Sequence, residues 1–250
     1  MAFSSSSSRP ATAGRLVALL AAAVIVPGLA ACGDDVTTTA STATDAQTST
    51  TAGAAPTTTS AAETGTCKTV SQPEPRSGEP DLPAPKPARL SGRWTVTMTT
   101  NCGSFTIRLD TKRQPKTTAS FKSLVAAKFY DGLTFHRIVA DYVIQGGDPA
   151  GDGTGGPGYS VEETPPADAA YTRGIVAMAK APSEPNGTSG SQFYVVTGAD
   201  TGLPPEYAIV GTVIAGMDTV DRIAAIGSGG PPNDVANAPV VISKATVAKG

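Results

Sequence analysis

The chain of 250 residues sets 19 Lys and Arg against 21 Asp and Glu, a formal net charge of -2, with 5% aromatic and 16% charged residues. A balance so near neutral gives no broad attraction for a phosphate backbone, and no local basic patch replaces it, so nucleic-acid binding is excluded. Apolar residues are concentrated in some stretches and missing from others, which excludes one uniform globule and requires an unstructured part.

Arg9 and Arg15 make a weakly basic start, and residues 16–30 form an apolar run too short to span a bilayer comfortably. Residues 1–31 therefore read as a signal peptide. The run ends in Leu29-Ala30-Ala31-Cys32-Gly33, which resembles the lipobox of bacterial lipoproteins. The resemblance implies that the Cys32 sulfur is lipidated and that Cys32 becomes the mature N-terminus, anchored to a membrane outside the cytoplasm. An ordinary signal peptide with an incidental cysteine is the alternative. With Cys32 consumed, Cys67 and Cys102 remain as an even pair, which an oxidising compartment permits to form a disulfide. Two separate thiols are the other reading, since spacing alone cannot bring two Cα atoms to bridging distance.

Residues 33–66 are nearly all Thr, Ala, Ser, Gly and Asp, with no apolar periodicity to offset the entropy of ordering them. Prolines 73, 75, 80, 83, 85 and 87 then favour a stiffer, extended spacer. Residues 32–90 thus read as a disordered tether, and the folded domain as residues 91–250.

Within that domain Trp94, Val96 and Met98 alternate with threonines, Asn101-Cys102-Gly103 turns the chain, and Phe105, Ile107 and Leu109 alternate with polar residues. This pattern predicts a β-hairpin. Further strands are predicted over 133–139, 142–146, 174–179, 192–197, 208–214 and 239–247. Helices are predicted over 117–129, with Phe121, Leu124, Val125 and Lys128 at helical spacing, and over 218–226, with Asp218 as N-cap. Eight mostly antiparallel strands suit a closed barrel whose ends the two helices plug, a mainly β fold.

Three motifs carry no weight. Residues 153–158 satisfy G-x-G-x-x-G, but no strand feeds the pattern, no helix follows it and Pro157 removes an amide, so they read as a glycine-rich surface loop. Asn186-Gly187-Thr188 is a formal glycosylation sequon that reports an exposed turn. The sole histidine, His136, has no nucleophile elbow to serve at Ser189 or Ser191. On a strand it faces away from Arg137, which favours a structural role. One histidine and two cysteines that can bridge leave too few ligands for a structural zinc, so no metal or other cofactor is expected.

What remains is Phe135-His136-Arg137-Ile138-Val139, Gln145-Gly146-Gly147-Asp148-Pro149, Gly155-Gly156, Met178-Ala179 and Gly190-Ser191-Gln192-Phe193-Tyr194. From about Trp94 to the C-terminus this constellation resembles the cyclophilins. The resemblance implies an eight-stranded barrel with two helices, in agreement with the strand count above, and isomerisation of X-Pro peptide bonds. Arg137 would donate to the prolyl nitrogen and Gln145 would position Arg137 and the substrate. Tyr142, Val143, Tyr194 and Leu203 would form the proline pocket, with Tyr207 where a pocket histidine is usual. Ala179, Lys180, Ala181 and Gln192 would form the groove for residues preceding proline.

The sequence departs from the family at several of these positions: Lys180 replaces a groove asparagine, Val143 a methionine, and Gly202 a tryptophan that donates to the cyclic peptide cyclosporin. The expected partners are proline-containing polypeptides and a membrane reached through the lipid anchor, with weak cyclosporin binding and a monomeric state. The expected function is folding assistance to exported proteins. The competing class is a proline-segment binding chaperone or scaffold with low turnover.

Overall fold

The computed structural model describes residues 66–76, 81–86 and 89–250. The expected signal peptide, the lipidation site Cys32 and nearly all of the Thr/Ala/Ser-rich tether lie outside the described residues.

Among the described residues, ten strands and two helices follow in chain order. They are β1 (Trp94–Thr100), β2 (Gly103–Leu109), α1 (Pro115–Ala126), β3 (Arg137–Val139), β4 (Val143–Gly146), β5 (Val161–Glu162), β6 (Ile175–Met178), β7 (Thr188–Ser189), β8 (Phe193–Val196), β9 (Ile209–Ala215), α2 (Met217–Ala224) and β10 (Ile242–Lys249). Eight of the strands, the number expected, form one antiparallel sheet in the order β10-β1-β2-β9-β6-β8-β4-β3. The pair β5–β7 was not anticipated; each of its strands is two residues long, below the reach of a periodicity argument.

The hairpin shows how local sequence becomes packing. Val96 opposes Ile107 and Met98 opposes Phe105, and all four side chains are buried. A period-2 pattern places them on one face, while Thr97 and Thr106 meet on the other through their hydroxyls at 3.1 Å. The sheet curls until its ends meet. The expected strand over 133–139 narrows to β3, because residues 133–135 serve that junction instead: Ile242 N donates to Leu133 O (2.8 Å) and Phe135 N to Val240 O (2.9 Å).

The interior is aromatic. Phe193 takes Phe121, Tyr130 and Phe135 edge-on, with ring centroids 5.5, 5.5 and 5.7 Å away. Helix α1 supplies Phe121, Leu124 and Val125 to this core. It begins two residues earlier than predicted, at Pro115, whose missing N–H costs nothing in a first turn. The amides of Lys116 and Thr117 donate to the Glu163 carboxylate at 2.9 and 2.8 Å, a cap supplied from a distant segment. Helix α2 corrects the other expectation. Its N-cap is Gly216, in the left-handed region at φ 78°, because a Cβ there would stand 2.2 Å from Ser104 O. Asp218 lies in the first turn and pairs with Arg222 at 2.8 Å.

The described parts of the proline-rich segment, read as a spacer outside the domain, are laid along the barrel. Cys67 is bonded to Cys102 in a disulfide at the β1–β2 turn, and Lys68 N donates to Asn101 O (2.9 Å). Arg76 N bonds Pro149 O (2.8 Å), Leu82 N bonds Pro157 O (2.9 Å) and Leu90 N bonds Pro115 O (2.8 Å). Leu82 and Leu90 pack against the main core. The composition of this strap predicted its stiffness and not its docking, which is decided by pairings with residues far along the chain.

A second apolar cluster lies on the opposite face of part of the sheet. Along β8, Phe193 and Val195 enter the main core while Tyr194 and Val196 enter this second cluster, and β4 and β6 divide their side chains in the same way.

Candidate active site

Strand register assembles the site. Arg137 is paired with Gln145, Gln145 with Tyr194, and Tyr194 with Ala177, so a row of four residues crosses β3, β4, β8 and β6 on one face. The neighbouring row is Val139, Val143 and Val196. A one-residue slip would send the whole row into the core, so the buried face holds the functional face in place. The two glycines after Gln145 are required by close approach: a Cβ on Gly146 would lie 2.7 Å from Thr134 O, and one on Gly147, at φ +85°, 2.6 Å from Ser191 O.

A polar relay runs across the row. Arg137 Nη1 donates to Gln145 Oε1 (3.4 Å), and Arg137 Nη2 meets Asp234 Oδ2 (3.3 Å). Gln145 Nε2 donates to Gln192 Oε1 (3.1 Å), whose own Nε2 donates to Gly153 O (2.9 Å) and Gly155 O (3.0 Å). The glycine-rich loop therefore has a structural place that its failed nucleotide-binding pattern concealed. It walls a cavity of about 540 Å³ whose other sides are Gln145, residues 179–181, Glu184 and residues 190–192. Ala179 and Gln192 are joined there by a backbone bond of 2.9 Å. The Ala181 amide donates to the Glu184 carboxylate at 2.5 Å.

Beside the relay, Tyr142, Val143, Tyr194, Leu203 and Tyr207, the residues expected to form a proline pocket, all belong to the second apolar cluster. Tyr171, which sequence reasoning missed, organises them. Its hydroxyl donates to Tyr207 O (2.6 Å) and accepts from Tyr207 N (2.9 Å), while its ring meets that of Tyr207 edge-on at 5.9 Å. The Tyr194 ring stands 5.8 Å from Tyr207. The Tyr194 hydroxyl is buried without a hydrogen-bond partner among the described residues, and burial, reinforced by the nearby tyrosines, pushes its pKa far above the usual phenol value.

Lys180 lines the cavity too. Its side chain is 3% exposed, with Nζ 3.6 Å from Glu206 Oε2 and 3.3 Å from Glu184 O. His136 is half-buried, and burial lowers its pKa against the opposing pull of Asp148. Ser191 Oγ donates to Gly147 O at 2.8 Å, so that hydroxyl is structural. Gly202 sits at φ +63° with open space around it.

Residues 95–247, more than half of the chain, match the family model described as cyclophilin type peptidyl-prolyl cis-trans isomerase/CLD. The chain belongs to this family. Among its relatives, a probable peptidyl-prolyl cis-trans isomerase B of Mycobacterium tuberculosis is 40% identical over 176 residues, which are 64% of this chain and 54% of that protein. The chain thus spans about half the length of that relative. A peptidyl-prolyl cis-trans isomerase of Arabidopsis thaliana is 37% identical over 135 residues, 52% of this chain and 80% of the relative. The cyclophilin of Cryptosporidium parvum, solved in the presence of the dipeptide Ala-Pro, superposes with a TM-score of 0.57 at 29% identity, covering 62% of this chain and 99% of its own.

Sequence reasoning missed Asp234, Tyr171, Glu184 and the carbonyls of Gly153 and Gly155. Only Gly155 carried a signal, as part of the cyclophilin constellation. The others act through contacts between segments distant in sequence, for which no local pattern exists.

Proposed function

We propose that this cyclophilin isomerises X-Pro peptide bonds of proteins outside the cytoplasm. The observation that carries the reading is Arg137, held by Gln145 in direct register, with the aromatic pocket of Tyr142, Tyr194 and Tyr207 on the same face. The uncatalysed barrier of about 18 to 20 kcal/mol comes from amide resonance, so no bond has to break. The catalyst has to favour the twisted amide, whose pyramidal nitrogen accepts a hydrogen bond better than the planar one does. The pocket takes the prolyl ring, the cavity between the glycine-rich loop and residues 179–181 takes the residues before it, and Arg137 donates to the nitrogen as it pyramidalises.

The test is a protease-coupled proline-peptide assay on wild type and Arg137→Ala, for which we expect kcat/KM to fall at least about tenfold, or roughly 1.4 kcal/mol. Unchanged turnover in a folded variant would refute the assignment. Binding of proline peptides with no turnover in the wild type would support the chaperone alternative instead.

Lipid anchoring at Cys32 belongs to the same proposal and rests on the lipobox sequence. Cys32→Ser should free the protein from membranes without loss of turnover, and retention of the variant would remove the claim. Cyclosporin should bind weakly, since Gly202 offers no side chain to bury against it or to donate, a loss of about 0.5 to 1.5 kcal/mol for the hydrogen bond alone.

A further inference from the structure

Strand β3 is the last in the sheet order, so one of its edges has no ladder partner. The segment 234–236 covers that edge. Ile138 N donates to Asp234 O (2.9 Å), Ala236 N donates to His136 O (3.2 Å), and Arg137 forms an isolated bridge with Val235. The covering loop is itself pinned, with Asp234 N on Gly230 O, Gly229 N on Val235 O and Asn237 N on Gly227 O, all at 3.1 Å. Asp234 adopts the left-handed conformation at φ 48°, which Asp and Asn tolerate better than most residues. This turn delivers a carboxylate to Arg137. Asp234 Oδ2 lies 3.3 Å from Nη2, with the aspartate side chain 13% exposed.

We infer that Asp234 is a positioning residue for Arg137, fixing the plane of its guanidinium; the inference rests on the isomerase reading of the site. One contact to Gln145 alone would leave the planar guanidinium free to swing about that contact. A second contact, on the other terminal nitrogen, removes that freedom and leaves the remaining N–H groups at a set angle to a bound amide. A twisted amide is more demanding of that angle than a planar one, because its nitrogen lone pair has a direction. The loss of Asp234 should therefore appear in turnover, while peptide affinity, which comes from the pocket and the cavity, stays near its original value.

Two variants suit the backbone at this position. Asp234→Asn keeps shape and tolerance of positive φ while removing the charge, and Asp234→Gly removes the side chain and also accepts positive φ. With folding checked by thermal melting, we expect kcat to fall about threefold in Asp234→Asn and about tenfold in Asp234→Gly, with KM within about twofold of wild type. Nitrogen-detected NMR of Arg137 should show separate Nη resonances in the wild type, from hindered rotation, and merged ones in Asp234→Gly. If the glycine variant does not fold, the asparagine variant decides, with a reduced Nη separation expected.

Wild-type kcat in a folded variant overturns the inference. So does a reduced kcat with the Nη signals still as separate as in the wild type, because Asp234 would then act by another route. Absence of turnover in the wild type removes the isomerase reading, and the NMR comparison then decides by itself whether Asp234 holds the guanidinium.

Discussion

Lys180 lies across the ring of Tyr207, its ammonium 5.5 Å from the ring centroid and 3.6 Å from the Glu206 carboxylate. The lysine ties the turn at Glu184 to the aromatic cluster of Tyr171, Tyr194 and Tyr207. Lys180→Ala should raise KM for proline peptides about threefold, roughly 0.6 kcal/mol, with kcat unchanged, because a sheltered cation–π contact is lost and Glu206 is left without its partner. Steady-state kinetics on the two proteins measure this. An unaltered KM would show that Tyr207 holds its place without the lysine.

The hydroxyl of Tyr194 is buried with nothing to bond, and a buried polar group in that condition costs about 1 to 3 kcal/mol. Tyr194→Phe should therefore stabilise the protein by about 1 kcal/mol and raise its melting temperature by roughly 2 to 4 °C, with the apolar pocket intact. Urea unfolding of both proteins provides the comparison. Destabilisation of the phenylalanine variant would mean that the hydroxyl has a partner in solution.

His136 sets an acid limit on stability. Burial lowers its folded-state pKa below the usual imidazole value of 6.5, so the fold favours the neutral ring. As the pH drops through 6.5 the unfolded chain takes up the proton first, and stability falls until the folded-state pKa is reached; above about pH 7 this contribution is constant. Asp218, held low chiefly by its hydrogen bond from Arg222, acts only at more acid pH, below the carboxylate value of 3.8. Melting temperatures between pH 5 and about pH 7.5 should show the slope in the wild type and lose it in His136→Gln. Turnover should stay flat over the same range, since the proposed chemistry moves no proton.

Removal of the Cys67–Cys102 bond should lower stability by about 3 to 4 kcal/mol, from the closure entropy of a loop whose ends are 35 residues apart. A double serine variant tests this by calorimetry. A change below about 1 kcal/mol would show that the strap docks as firmly without its covalent end.

The parts of the fold that were readable are those in which neighbouring residues decide the outcome. Alternation along Val96, Met98, Phe105 and Ile107 sets the hairpin and its inward face. Arg137, Gln145 and Tyr194 were readable as a group because each belongs to a motif whose register the resemblance supplied. Asp234 was not, since it meets Arg137 across 97 residues through a loop with no periodic pattern. Nor were the Gly153 and Gly155 acceptors, because every residue carries a carbonyl and only the folded chain selects which ones Gln192 reaches. The side chain of Lys180 is buried for a similar reason: its partners Glu184 and Glu206 come from two separate turns.

The strap also decides how the barrel bears load. Tension applied to the chain ahead of Cys67 has two covalent routes into the domain, along the backbone to Trp94 or across the sulfur bridge to Cys102. The bridge is the shorter route, so the force enters at the β1–β2 turn and bypasses the backbone that follows Cys67. Pulling then acts on the tip of the hairpin, while the strap's bonds to Pro149 and Pro157, the second of which braces the glycine-rich wall of the cavity, are mechanically shielded.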